Sequence, residues 1–170
     1  MSGFAVFDTA VGDCGIAWSD RGVIGFQLPE GDAQAMRRRM ATVFSAAESV
    51  PPPDIQTAID AVVRLMHGDR VDLNFIQLDM DSLPEFHQRV YQVARLIPPG
   101  ATLTYGEIAQ RLGDPGSARA VGQALGRNPI PVIVPCHRVM AAGGKTGGFS
   151  APGGAATKLN LLAIEGAQLF

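Results

Sequence analysis

The segment Pro129-Ile130-Pro131-Val132-Ile133-Val134-Pro135-Cys136-His137-Arg138-Val139 narrows what this 170-residue chain can fold into more than any other stretch. Its Val/Ile run is too short for a helix and is fenced by three prolines, so it reads as a short buried strand. The strand stops at Pro135 and hands over at once to Cys136 and His137, which makes it a rigid platform with a thiol at its tip. Chemistry that needs a fixed nucleophile uses such a platform, but cysteine is also a common core residue. The remainder of the chain has to separate the two.

A chain of this length can bury a core as one domain or as two small ones. It has no apolar run long enough to cross a bilayer and no basic-then-apolar start of a signal peptide, so neither membrane nor secretion is expected. The two cysteines, Cys14 and Cys136, make no disulfide framework, and a free thiol suits a reducing, cytoplasmic setting. His67, His87 and His137 are scattered without zinc spacing, so no metal site is expected. The net charge of −2 averages two unlike halves. Residues 1–85 carry six Lys/Arg against thirteen Asp/Glu, a balance of −7. Residues 86–170 carry eight against three, a balance of +5, and they include the Cys-His platform. A basic half is a hint of a polyanionic partner.

Short apolar runs at 4–9, 14–18 and 23–28, separated by Gly/Asp turns, predict a meander of antiparallel strands, with Cys14 as plain core. Residues 31–47 read as a helix. Its Arg37-Arg38-Arg39 cannot share one face, which suggests a solvated surface rather than a phosphate clamp. After Pro51-Pro52-Pro53, Asp54 can cap a second helix reaching to Gly68, and 73–78 reads as one more strand. The acidic Asp79-Met80-Asp81 marks the expected boundary between an N-terminal domain, 1–81, and a mostly helical C-terminal domain, 82–170. The fold class expected is therefore α+β, a small antiparallel-sheet domain followed by helices and a short active-site strand.

Ser82-Leu83-Pro84-Glu85 and Thr104-Tyr105-Gly106-Glu107 both have capping-box form, and Asp114-Pro115 supplies a third helix start. Two short helices joined through Gly113-Asp114-Pro115-Gly116 form a helix-turn-helix candidate. The second, 117–126, presents Ala118, Ala120, Gly122, Ala124 and Gly126 outward, with Val121 and Leu125 inward and Arg119 nearly alone. A helix stripped of bulk can approach another surface closely and would carry one long cation with it; tight packing within a small core is the other reading. The glycine-rich loop 141–154 lacks the spaced glycine of a phosphate-binding loop. The closing helix, 156–164, is expected to turn Leu159, Leu162 and Ala163 inward.

A thiol attacks as the thiolate, so Cys136 needs a base or a positive environment. His137 is next in sequence, yet adjacent residues do not face one another, so a bridging water is the reasonable link. An acid should orient the imidazole. The basic half has only Glu107, Asp114 and Glu165; the first two are taken by caps, which leaves Glu165.

Together, Tyr105, Ser-Ala-Arg-Ala-Val-Gly at 117–122, Asn128-Pro129, Pro135-Cys136-His137-Arg138-Val139, Gly147 and Leu161-Leu162-x-x-Glu165-Gly166 closely resemble the alkylguanine-DNA alkyltransferases, the methylated-DNA–protein-cysteine methyltransferases. The resemblance is strong over 82–170 and general over 1–81. It implies a partner, double-stranded DNA containing alkylated guanine, and a reaction that needs no cofactor and occurs once per molecule. Cys136 resembles the alkyl acceptor, His137 the water-linked base and Glu165 its orienting acid. Tyr105 resembles the residue that hydrogen-bonds and protonates the flipped guanine, and Arg119 the finger that fills the gap left in the stack. Ser117, Ala118, Ala120 and Gly122 resemble the face that enters the minor groove. Asn128 resembles the hinge to the active-site strand, and the backbone around Val139 and Ser150 the lining of the base pocket. Phe149 stands where a tyrosine is frequent, and the loop 149–154 is two residues longer than in some relatives, so pocket width is open. A monomer acting alone is expected. The rival readings are a DNA-damage sensor of the same fold that transfers nothing, whose known relatives lack the cysteine, and a thiol hydrolase.

Overall fold

In a computed structural model, residues 2–144 and 153–167 are described. The chain opens with β1 (Gly3–Thr9), β2 (Gly12–Ser19) and β3 (Gly22–Gln27), an antiparallel sheet in the order β1-β2-β3. One register shift lies at Ala17/Trp18. Gly25 sits in β3 with no room for a side chain, because a Cβ there would lie 2.0 Å from the Phe44 ring. Helices α1 (Ala33–Phe44) and α2 (Pro53–Met66) follow. Met36 and Met40 of α1 pack with Phe4 and Ala17, while α2 turns Ile55, Ile59, Val62 and Met66 into the main core. That core continues unbroken into α3 (Glu85–Ala94), α4 (Tyr105–Arg111), α5 (Ala118–Gly126) and Leu161 of α6 (Gly154–Ile164).

The α+β architecture expected from the sequence is the one adopted, with a helix-turn-helix made by α4, a 3₁₀ turn at Pro115–Ser117, and α5. Several local expectations are corrected. Residues 73–78 form no strand; only Leu78 pairs, with Val23, and Arg95 takes the carbonyls of Leu73 and Ile76 that a ladder would have used. Pro52, not Asp54, precedes α2, and Asp54 lies in its first turn, where its charge suits the helix dipole. Pro84 occupies the N-cap of α3, so Ser82 is two residues too early for its box to close. Asp114 makes no side-chain cap either. In α6 it is Lys158, Leu161 and Leu162 that face inward, while Leu159 and Ala163 are exposed.

The largest correction falls on 129–135, which is not a strand. Pro129, Pro131 and Pro135 have no N–H to give a ladder, and the chain folds back on itself instead. Val134 N donates to Ile130 O at 2.9 Å, and Val132 adopts φ 75°, a value few β-branched residues tolerate. A 3₁₀ turn, Cys136–Arg138, leads into β5 (Val139–Met140), which pairs in parallel with β4 (Leu103–Thr104). The sheet reaches this segment through Phe26 N, which donates to Pro129 O at 2.9 Å.

The second capping box does form. Thr104 Oγ1 accepts from Glu107 N and Glu107 Oε1 from Thr104 N, both at 3.0 Å. The box fixes the start of α4 directly at Tyr105. Thr104→Ala is expected to lower the unfolding free energy by about 1 kcal/mol in urea titrations, the ordinary worth of such a cap.

Candidate active site

Cys136 is placed by its backbone. Pro135, at φ −80° and ψ 65°, is the centre of an inverse γ-turn that lets Cys136 N donate to Val134 O at 2.7 Å. Asn128 staples the same loop: Nδ2 donates to Val134 O and Oδ1 accepts from Ile130 N, each at 2.9 Å. The same Asn128 side chain lowers the proton affinity of the Cys136 thiol. The thiol is therefore held at the mouth of a rigid turn rather than at a strand tip, with 8% of the residue's surface exposed.

Behind it, His137 is fully buried and its Nε2 lies 2.9 Å from Glu165 Oε2. Glu165 follows α6 directly, so the end of α6 sets where the carboxylate sits. Among the described residues, His137 Nδ1 is buried and makes no hydrogen bond to any protein group. Arg138 is buried as well; its Nε donates to Glu165 Oε1 at 2.9 Å, Nη2 to Glu165 Oε2 at 2.8 Å, and Nη1 to Ile97 O. From α6, Lys158 donates to Val139 O at 2.5 Å, and its charge is felt at Cys136.

The proton affinities follow from these surroundings. Burial pushes the Cys136 thiol up, opposed by the Asn128 hydrogen bond and the Lys158 charge. Burial pushes His137 down, opposed by Glu165, so the imidazole is neutral at ordinary pH. Burial would raise Glu165, but the hydrogen bonds from His137 and Arg138 outweigh it and hold the carboxyl at about 2. The result is a thiol, a neutral imidazole and a carboxylate in sequence, the arrangement a general base needs.

Tyr105 is the first residue of α4, half-buried, and the β4–β5 pair sets its strand beside Val139. Ser117, Ala118, Ala120 and Gly122 are half-buried, and Arg119 is exposed. A Cβ at Gly122 or Gly126 would meet nothing within 4 Å, so tight packing inside the protein does not explain these glycines. Ala124, expected outward, is buried; its carbonyl accepts from Tyr91 Oη at 2.6 Å, which ties α5 to α3. Gly147, Phe149 and Ser150 lie outside the described residues. Cys14 is core, pushed up to about 12 by burial. Arg37 pairs with Glu48 and Arg39 with Glu30.

Sequence reasoning passed over Arg138 and Lys158. Lys158 was findable, since it stands three and four residues before Leu161 and Leu162 and so shares their inward face. Among the described residues, no group of three His, Cys, Asp or Glu could hold a metal ion, and no helix is long and apolar enough to cross a membrane.

Residues 85–167 match the family described as 6-O-methylguanine DNA methyltransferase, DNA binding domain. The chain is 38% identical over 157 residues to a methylated-DNA–protein-cysteine methyltransferase of Methanothermobacter thermautotrophicus, covering 92% of this chain and 81% of the relative. A crystal structure of a Mycobacterium tuberculosis O6-methylguanine methyltransferase superposes with a TM-score of 0.75 at 31% identity, covering 98% of this chain and 93% of that one. A Mycobacterium tuberculosis protein in complex with DNA gives 0.74 at 33% identity, over 96% and 92% of the two chains.

The Glu165 carboxyl links the site to stability. Its folded value, about 2, lies below the unfolded one, so its contribution is present above the unfolded value and lost as pH falls through the folded one. Glu165→Gln should destabilise the protein by about 3 kcal/mol at neutral pH. It should also flatten the loss of stability that the parent shows between about pH 5 and pH 2, as followed by urea unfolding.

Proposed function

The chain belongs to the methylated-DNA–protein-cysteine methyltransferase family, and from that premise we propose how its own residues divide the reaction. It is a DNA repair protein that transfers the alkyl group from the exocyclic oxygen of guanine to a cysteine of its own. The observation that carries the assignment of the site is the buried Glu165–His137 hydrogen bond beside the Cys136 turn.

In this reading the Cys136 proton passes through one water to His137 Nδ1, and Glu165 stabilises the imidazolium that forms. The thiolate pair attacks the alkyl carbon in line, forming the S–C bond as the C–O bond breaks. The electrons of that bond leave on the guanine, which takes up a proton from the Tyr105 hydroxyl. The thioether is not hydrolysed, so each molecule acts once, and no cofactor enters the balance.

An alkylated base inside a duplex is out of reach of a thiol this buried. The base has to be flipped out, at a cost of a few kcal/mol, roughly, that is lower for a damaged pair. Ser117, Ala118, Ala120 and Gly122 form the face that enters the minor groove, and Arg119 fills the gap in the stack. Asn128 joins this helix to the turn that carries the thiol. Val139 O, already accepting from Lys158, keeps a second lone pair for the base. Residues 1–81 serve as a supporting N-terminal domain and 82–170 bind DNA and accept the alkyl group. We place the protein in the cytoplasm, acting as a monomer.

Incubation with duplex DNA carrying methylguanine should add one methyl group per molecule, at Cys136, by peptide mass spectrometry. Cys136→Ala should bind the same DNA and accept nothing. Cys136 left unmodified would sink the transfer reading and favour a sensor. Arg119→Ala should slow transfer from duplex at least tenfold, about 1.4 kcal/mol, while transfer from free methylguanine base stays nearly unchanged. Equal slowing of both reactions would remove the finger role.

A further inference from the structure

The carboxylate that orients His137 is shared. Glu165 accepts from His137 Nε2 at 2.9 Å, and the same two oxygens take a forked pair of bonds from Arg138, at 2.9 and 2.8 Å. All three side chains are almost wholly buried: the exposures are 0% for His137, 3% for Glu165 and 6% for Arg138. The third Arg138 donor is spent on Ile97 O, in the turn that follows α3. We propose that Arg138 is a positioning residue for alkyl transfer, holding Glu165 so that His137 keeps its proton on Nε2 and presents the Nδ1 lone pair toward the thiol side. The proposal rests on the assignment of His137 as the base of Cys136.

A carboxylate with one hydrogen-bonding neighbour can rotate about its last torsion and move its charge off the imidazole axis. A planar fork fixes both oxygens at once, which no single ammonium can do. With Glu165 fixed and ionised, Nε2–H becomes the favoured tautomer, and Nδ1, which has no partner among the described residues, is left as the acceptor. Arg138 touches neither the thiol nor the base and acts only through Glu165.

The charged groups around Glu165 come from several elements. His137 and Arg138 face it from the 3₁₀ turn, and both lower its proton affinity. Lys158, on α6, acts on His137 rather than on Glu165. Arg70, from the segment after α2, lies near Gly100, which itself approaches the Glu165 backbone carbonyl. Arg138→Lys therefore keeps a positive charge but gives up the fork onto both oxygens, and the less firmly held carboxyl should take up its proton at a higher pH than in the parent. Below that pH the tautomer is no longer fixed.

Single-turnover transfer from methylguanine duplex should fall about tenfold or more in Arg138→Lys, a part of what general-base assistance supplies. Its acid limb should move to higher pH. In a Glu165→Gln background the same substitution should change the rate less than twofold. An equal loss in both backgrounds, or an unshifted acid limb, would overturn the proposal. A second measurement needs neither DNA nor a variant: imidazole nitrogen chemical shifts of His137 in the free parent protein should report Nε2–H at neutral pH. A proton on Nδ1 would also overturn it. Absence of transfer by the parent protein would instead mark failure of the assignment of Cys136 and His137.

Discussion

A single buried carboxylate ties the site together. Glu165 ends α6, and through it the helix is joined to the 3₁₀ turn at Cys136–Arg138 and, by way of Arg138, to the carbonyl of Ile97 beyond α3. In a dry interior a lone carboxylate is costly, and so is a lone guanidinium. Each is tolerable because the other is there, with forked geometry and a histidine taking up the remaining acceptor capacity. The ion pair fixes where three separate stretches of chain may sit, and Cys136 lies within two residues of it.

The second constraint is the absence of backbone donors. Three prolines within seven residues deprive 129–135 of the means to join a sheet, so Asn128 supplies from its side chain what the backbone lacks. Val134 O collects both the Asn128 amide and Cys136 N. The thiol position thus depends on side-chain bonding from the residue that follows the helix-turn-helix closely, and on Phe26 N reaching Pro129 O from the sheet. The sheet, α5 and the Cys136 turn are mechanically continuous.

Much of this was legible in the chain and some was not, for physical reasons. Short apolar runs broken by Gly/Asp turns gave away β1 to β3, and capping residues together with helical spacing located the helices among the described residues, because such signals are local. The Thr104–Glu107 box closed, whereas the Ser82–Glu85 box did not, because Pro84 claimed the cap and no spacing rule ranks the two. The run 129–135 reads as a strand because Val and Ile favour one; the count of missing N–H groups is the better guide. Elimination of acids pointed at Glu165, but nothing in the sequence shows that Arg138 takes the other half of that carboxylate. Such a pairing is made between residues far apart in the chain, and only the fold brings them together.

The protonation pattern explains why a buried thiol is serviceable here. Burial raises Cys136 and lowers His137, so the resting pair is thiol and neutral imidazole, and neither of the two carries a charge. Moving the proton creates two charges, each already provided with a partner: Glu165 for the imidazolium, Lys158 and Asn128 for the thiolate. The surroundings thus keep the neutral pair as the resting state while providing a partner for each charge that proton transfer creates. A standing, exposed thiolate would be open to oxidation. A protein that spends its nucleophile in one reaction gains from keeping the thiol protonated until the alkyl group is in place.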